Sequence, residues 1–330
     1  MLRWYENCTV ADVKAISSFQ HSTSVVLDWT FTHLKDKDIY LRFAGSVHSA
    51  CTVHAHIRRL YFTMPYAQLQ THRVHYTDTK DVEPQRGNGK PPIMMIHGLG
   101  SSQNYYMPVI PHLTDHRCIA MDTYGAARSK SKGEHLTLAQ LAEDVVELMD
   151  YLRIERAVVV GHSMGGPMVC TTAAAHPDRM SGLVAIGPVN PTSIKPEIFQ
   201  TRIDAVEKDG MEPLANSIPT AATNANSTAL QRALIRELII GQDSVSYASH
   251  CRVIMEMQEP AGGFEAIKCP ALVIAGDEDK SAPLEGCKYI HEHLGSSQKE
   301  LKVLEGVGHW HCIEAGDRVT EAIASFCSSL

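Results

Sequence analysis

The 330-residue sequence has no run of about 18 consecutive apolar residues, so a membrane-spanning helix is not expected. Its start, MLRWYENCTVADVKAISSFQ, breaks each apolar run with Glu, Asp, Lys or Ser before the core of a secretory signal can form. Positive charge is short as well. Lys and Arg number 30 against 37 Asp and Glu, a net charge of -7 with no long basic run, which argues against a nucleic-acid partner. Paired cysteine spacing is also missing: the nine cysteines (Cys8, Cys51, Cys118, Cys170, Cys251, Cys269, Cys287, Cys312 and Cys327) are odd in number and scattered. That pattern suits neither a disulfide scaffold nor a zinc site and favours a reducing compartment. No repeat or low-complexity tract interrupts the chain. These absences leave a soluble, intracellular protein, cytoplasmic by default. Ser328-Ser329-Leu330 differs at one position from the Ser-Lys-Leu peroxisomal address, which keeps the peroxisome as the alternative.

What is present changes in texture at Met64. Residues 1–63 carry isolated apolar clusters (SVVLDW, DIYLRF) without a sustained period, and read as a poorly ordered N-terminal extension, with Met64 as a natural start. Within them, Cys51, His54 and His56 have a spacing that touches a metal, but two further ligands are absent and no metal is expected. From residue 64 to 330, short apolar runs alternate with amphipathic helices, the pattern of a mostly parallel sheet covered by helices on both faces. MPYAQLQTHRVHYTDT reads as an edge hairpin. The strands are expected at Ile93 to Ile96, Cys118 to Met121, Ala157 to Val160, Leu183 to Ile186, Ala271 to Ala275 and Leu301 to Leu304. Between two of them, TLAQLAEDVVELMDYL puts Leu138, Leu141, Val145, Leu148 and Leu152 on one helical face behind a Thr137/Gln140 capping box. The segment 191–264 breaks the alternation with helical stretches and reads as an inserted helical cap.

Chemistry concentrates in four segments. VVVGHSMGGP runs a buried-type strand into Gly161-His162-Ser163-Met164-Gly165, a Gly-x-Ser-x-Gly elbow that projects one serine from a sharp turn, with Pro167 in the first turn of the next helix. A serine hydroxyl is a weak nucleophile and needs a base, which in turn needs an orienting acid. ALVIAGDEDKSAP supplies Asp277, Glu278 and Asp279 after one later strand, with Asp279 favoured. LKVLEGVGHWHC delivers His309 after another; it is favoured over His311 because Gly308 frees the backbone before it. The order Ser163, Asp279, His309 is that of a triad on such a sheet. MMIHGLGSS provides the remaining need, an oxyanion hole from the backbone N–H groups of Leu99 and Met164. No Gly-Lys-Ser/Thr or Gly-x-Gly-x-x-Gly follows that glycine turn, so nucleotide binding is not expected.

With HGLGSS, DTYGAARS, VVVGHSMGG, GDEDKSAP and GVGHW in order, the chain from about Met64 to Leu330 resembles the alpha/beta-hydrolase superfamily. RIDAVEKDGMEPLANSI before the acid strand is similar to the cap of its 3-oxoadipate enol-lactonase-like branch. The resemblance implies nucleophile Ser163, acid Asp279, base His309 and oxyanion donors Leu99 and Met164. It also implies hydrolysis of a small-molecule ester or lactone with no metal or organic cofactor. DTYGAARS departs from the pattern, with Ala127 where the family has a second glycine, which puts detailed substrate contacts in doubt. Acyl transfer, cyclisation and carbon-carbon hydrolysis use the same triad, and some members of the fold are ligand sensors. The segments EIFQTRIDAV and RVIMEMQEP are expected to form much of the pocket; Met255 and Met257 either line it or pack in the core. Oligomeric state stays open.

Overall fold

The computed structural model describes residues 66–330 apart from 82, 84, 85 and 88, together with the backbone of three strands nearer the N-terminus. Two compact units divide the chain, Met1–Tyr61 and Phe62–Leu330. In the first, β1 (Asp12–Ala15), β2 (Leu27–Phe31) and β3 (Leu41–Phe43) form an antiparallel sheet. The remainder of that unit lies outside the described residues, including Cys51, His54 and His56.

The second unit is built on an eight-stranded sheet. Its strands are β4 (Tyr66–Gln68), β5 (Arg73–Asp78), β6 (Ile93–Ile96), β7 (Cys118–Met121), β8 (Ala157–His162), β9 (Met180–Ile186), β10 (Ala271–Gly276) and β11 (Lys299–Leu304). Their order is β11-β10-β9-β8-β6-β7-β5-β4. The expected edge hairpin is β4 and β5, whose antiparallel pairing continues onto β7; the other pairings are parallel. Strands β6, β7, β8 and β10 are buried at each position, so apolar runs such as IMMI serve both faces. Alternation divides them: Met94 and Ile96 join one core, Ile93 and Met95 the other. The first core is closed by α1 (Leu138–Tyr151), α2 (Gly165–Ala175) and α7 (Leu284–His293); the second holds Val319, Ile323 and Phe326 of α9 (Gly316–Ser328), which follows the short α8 (His311–Glu314).

Both capping-box bonds of Thr137 and Gln140 form at the start of α1. Leu138, Leu141, Val145 and Leu148 are buried on its inner face, with Leu152 partly so. Between β9 and β10 stand four helices: α3 (Pro196–Asp209), α4 (Glu212–Ala221), α5 (Ala229–Ile240) and α6 (Ser244–Glu256). They occupy the stretch read as a cap. Met257 packs in the first core and Met255 against the second, which decides their alternatives for packing.

Candidate active site

The elbow after β8 depends on missing side chains. Ser163 has φ 56°, in the left-handed region that costs a residue with a Cβ about 1–2 kcal/mol. A Cβ on Gly161 would lie 2.0 Å from the Gly165 carbonyl oxygen, and one on Gly165 would lie 2.5 Å from that of Ile96. The strand, turn and helix therefore pass at distances only glycine permits. Ser163 N–H donates to Ile186 O (2.9 Å), fixing the turn to β9, and its carbonyl accepts from Val189 N–H (3.2 Å).

The loops after β10 and β11 bring the other two candidates to this serine. Ser163 Oγ–H donates to His309 Nε2 (2.9 Å), and His309 Nδ1–H donates to Asp279 Oδ2 (2.8 Å). The remaining oxygen of Asp279 accepts from the N–H groups of Ser281 and Ala282, both at 2.8 Å. Burial pushes the Asp279 carboxyl up, but the charge and hydrogen bond of His309, then His311 and the Ala282 N–H, outweigh it and hold the group below its ordinary range. Asp279 is thus an anion at neutral pH, as orienting the imidazole requires. The neighbouring acids have other tasks. Asp277 accepts from Gly306 N–H (2.7 Å), bracing the loop that carries His309, and Glu278 accepts from Asn224 Nδ2 (2.6 Å). His311 instead donates to the backbone carbonyl of His309 (2.9 Å).

The His97-Gly98-Leu99-Gly100 turn presses on the elbow, since a Cβ at Gly98 would come within 2.6 Å of Ser163 Cβ. The buried His97 ring holds the turn: Nδ1–H donates to Gly98 O (2.7 Å) and Nε2 accepts from Thr123 N–H (3.1 Å). Burial lowers the His97 pKa, which keeps the ring neutral for both roles. Neither Leu99 N–H nor Met164 N–H, the latter capping α2, donates to a protein acceptor among the described residues. Two free donors beside a serine hydroxyl can stabilise a negative oxygen. At the departing position Ala127 has φ 46°, so the loop keeps the left-handed turn of a glycine, and Ala127 N–H donates to Gln242 Oε1 (3.1 Å), two residues beyond α5.

Ser163 and His309 line a cavity of about 530 Å³ whose walls also include Ile194, Ile198, Phe199, Ile218, Ile239, Ile254 and Trp310. Both expected segments, EIFQTRIDAV and RVIMEMQEP, contribute to it. Lys195, Arg202 and Lys280 also line it against a single carboxylate, Glu285, and the Arg202 guanidinium carbon lies 5.4 Å from the centre of the Phe199 ring. No group of His, Cys, Asp and Glu suited to a metal ion occurs among the described residues. No helix among them is long and apolar enough to cross a membrane.

Sequence reasoning missed Glu314. One carboxylate oxygen accepts from Gly308 N–H (3.1 Å) and Asn224 N–H (2.7 Å), the other from Trp310 N–H (2.8 Å), so one side chain grips the backbone on both sides of His309. The only signal was an acid five residues after the histidine. His162 of the elbow is a second such residue: its Nε2–H donates to His309 O (2.8 Å) while its ring stacks on Tyr105 at 4.1 Å between centroids.

Residues 91–212 match the family model described as alpha/beta hydrolase fold. Esterase YbfF of Escherichia coli is 26% identical over 249 residues, 73% of this chain and 95% of its own. 3-Oxoadipate enol-lactonase 2 of Acinetobacter baylyi is 25% identical over 242 residues, 71% of this chain and 88% of its own. Among solved structures, the enol-lactonase from Burkholderia xenovorans LB400 superposes with a TM-score of 0.72 at 28% identity, covering 80% of this chain and all (100%) of that one. A thermophilic esterase from Thermogutta terrifontis gives 0.71 at 22% identity, over 80% and 98% of the two chains.

Proposed function

We propose, from the alpha/beta-hydrolase fold that this chain shares with the matched family model and the enol-lactonase structure, that it is a serine hydrolase of small carboxylic esters or lactones. Ser163 is the nucleophile, His309 the general base and then acid, Asp279 the orienting anion, and the Leu99 and Met164 N–H groups the oxyanion hole. The observation that carries the reading is the unbroken chain of hydrogen bonds from Ser163 Oγ through His309 to Asp279, at 2.9 and 2.8 Å.

The mechanism follows from those contacts. His309 Nε2 takes the hydroxyl proton as Oγ attacks the carbonyl carbon, and Asp279 stabilises the imidazolium that forms. The carbonyl oxygen becomes an anion against two preorganised donors, each worth about 3 kcal/mol where such donors have been removed. His309 then returns the proton to the leaving alkoxide. In the second half it takes a proton from water, which attacks the acyl-enzyme and releases the acid and the serine. For a lactone, alcohol and acid leave as one hydroxy acid.

The cavity bears on substrate choice. In a chain of net charge -7, a lining with three cations and one carboxylate favours an ester or lactone that carries its own anionic group. Arg202, whose guanidinium suits a carboxylate in two-point contact, is the group to receive it. The test is a panel of lactones, enol-lactones and aryl esters, half with a terminal carboxylate and half without, offered to wild type and Ser163→Ala, with products identified by mass. Turnover of the panel by wild type and none by Ser163→Ala supports the hydrolase reading. Saturable binding without turnover points to a sensor and contradicts it. Equal kcat/KM for charged and neutral members contradicts only the anion preference.

A further inference from the structure

His309 is held by its backbone as well as by its ring. Its carbonyl oxygen accepts two hydrogen bonds, from His162 Nε2–H (2.8 Å) and from His311 Nδ1–H (2.9 Å), and its N–H donates to Ala222 O (2.9 Å). His162 immediately precedes Ser163. A closed ring of contacts therefore runs from Ser163 Oγ to the His309 imidazole, through the His309 carbonyl to the His162 imidazole, and along the chain back to Ser163. The geometry of nucleophile and base is set within that ring, and His311 is the second support of the carbonyl that closes it.

Both supporting rings are wholly enclosed, with exposures of 2% and 0%. Each leaves its other nitrogen, His162 Nδ1 and His311 Nε2, without a partner among the described residues. A buried nitrogen without a partner is a cost that an apolar side chain of the same size avoids. What an apolar side chain lacks is the donor facing the His309 carbonyl. Room for the His311 ring is made by Gly187, where a Cβ would lie 2.5 Å from His311 Cε1 and 3.1 Å from Asp279 Oδ2. The same missing side chain thus admits both this ring and the acid.

We propose that His311 is a positioning residue: a neutral imidazole that donates to the His309 carbonyl and, with His162, holds the base in line with Ser163. The proposal rests on the reading of His309 as the base. It does not touch the substrate, so its removal acts on kcat and leaves KM.

The experiment compares four substitutions in the full-length protein by steady-state kinetics on one aryl ester, with thermal unfolding measured in parallel. His311→Asn keeps a donor near the Nδ1 position. His311→Gln keeps the amide but carries it to the Nε2 position, and His311→Phe keeps the ring and loses the donor. The expected result is a kcat about ten- to a hundred-fold lower for the Phe and Gln variants, the scale on which misplaced catalytic groups act, with KM unchanged and most of the rate restored in the Asn variant. Should the Phe variant not fold, the Asn and Gln comparison carries the test alone. Equal kcat in the Asn and Gln variants, or loss of stability without change in kcat, overturns the proposal. The fourth substitution, His309→Ala, separates the two readings. Turnover surviving there removes the base assignment and the proposal with it; turnover lost there but kept in each His311 variant removes the proposal alone.

Discussion

The strain at Ser163 makes a quantitative prediction that separates stability from activity. Ser163→Ala and Ser163→Gly both delete the hydroxyl and its bond to His309, so their difference isolates one Cβ in a backbone at φ 56°. Removing that Cβ relieves about 1–2 kcal/mol of left-handed strain. Glycine returns about 0.4–1 kcal/mol of that to the entropy of the unfolded chain. The net expectation is that Ser163→Gly is more stable than Ser163→Ala by about 1 kcal/mol, or about 2 °C in Tm for a unit of this size. Ala127, at φ 46°, is an internal control outside the proposed catalytic residues. Ala127→Gly is expected to gain by a similar amount with turnover intact. Urea unfolding with a common m-value, together with calorimetry, measures all four proteins. A Ser163→Gly variant no more stable than Ser163→Ala would refute the argument that the elbow is strained and held in place by its surroundings.

The remaining expectations concern pH and the two loops. Burial lowers the pKa of His97, His162, His250 and His311, that of His250 to about 4. Below the unfolded value of about 6.5 the unfolded chain binds more protons than the folded one, so stability falls as pH falls from 6.5. His250 alone contributes about 3 kcal/mol of loss by pH 4 at 1.36 kcal/mol per unit. Urea midpoints unchanged between pH 7 and pH 5 would contradict this. Asp279 works in a lower window: its depressed pKa gives stability that is complete above its ordinary value and lost as pH falls through the folded one. Asp279→Asn is expected to lower kcat by about 10⁴-fold, as when a triad acid is neutralised, while Asp277→Asn, at a residue that braces Gly306 and Val307, costs far less; equal losses would show the acid is misassigned. Gly98→Ala drives a methyl toward Ser163 Cβ and shifts the turn that bears Leu99, so kcat should drop by about 10²-fold, as when an oxyanion donor is lost. Unchanged kcat there would separate Leu99 from the chemistry.

The legible parts of this protein were those written in local sequence. Strands β6 and β7 begin and end where the apolar runs IMMI and CIAM do, because a strand buried on both faces leaves no room for polar residues. The α1 boundary was legible because Thr137 and Gln140 cap each other within four residues. Strand β9 starts earlier than the apolar run suggests, at Met180, since pairing with Ala157 on β8 extends it through Ser181 and Gly182. The three separated residues of the proposed site could be nominated from the sequence because each follows a strand and carries a backbone signature of its own. What stayed hidden were contacts made across the chain. Glu314 on both sides of His309, His162 beneath its carbonyl and Gly187 against His311 are defined by distances that spacing does not encode. The proposed role of His311 was hidden for the same reason, since only the folded loop brings its ring to the His309 carbonyl.

The most direct test of the central claim is to trap the acyl-enzyme mechanism at its first atom. Reaction of the full-length protein with an aryl fluorophosphonate, followed by peptide mass mapping, is expected to give one adduct per chain on Ser163. The same treatment should give none in Ser163→Ala and a sharply slowed reaction in His309→Ala. An adduct on another residue, or undiminished ester turnover in Ser163→Ala, would contradict the account.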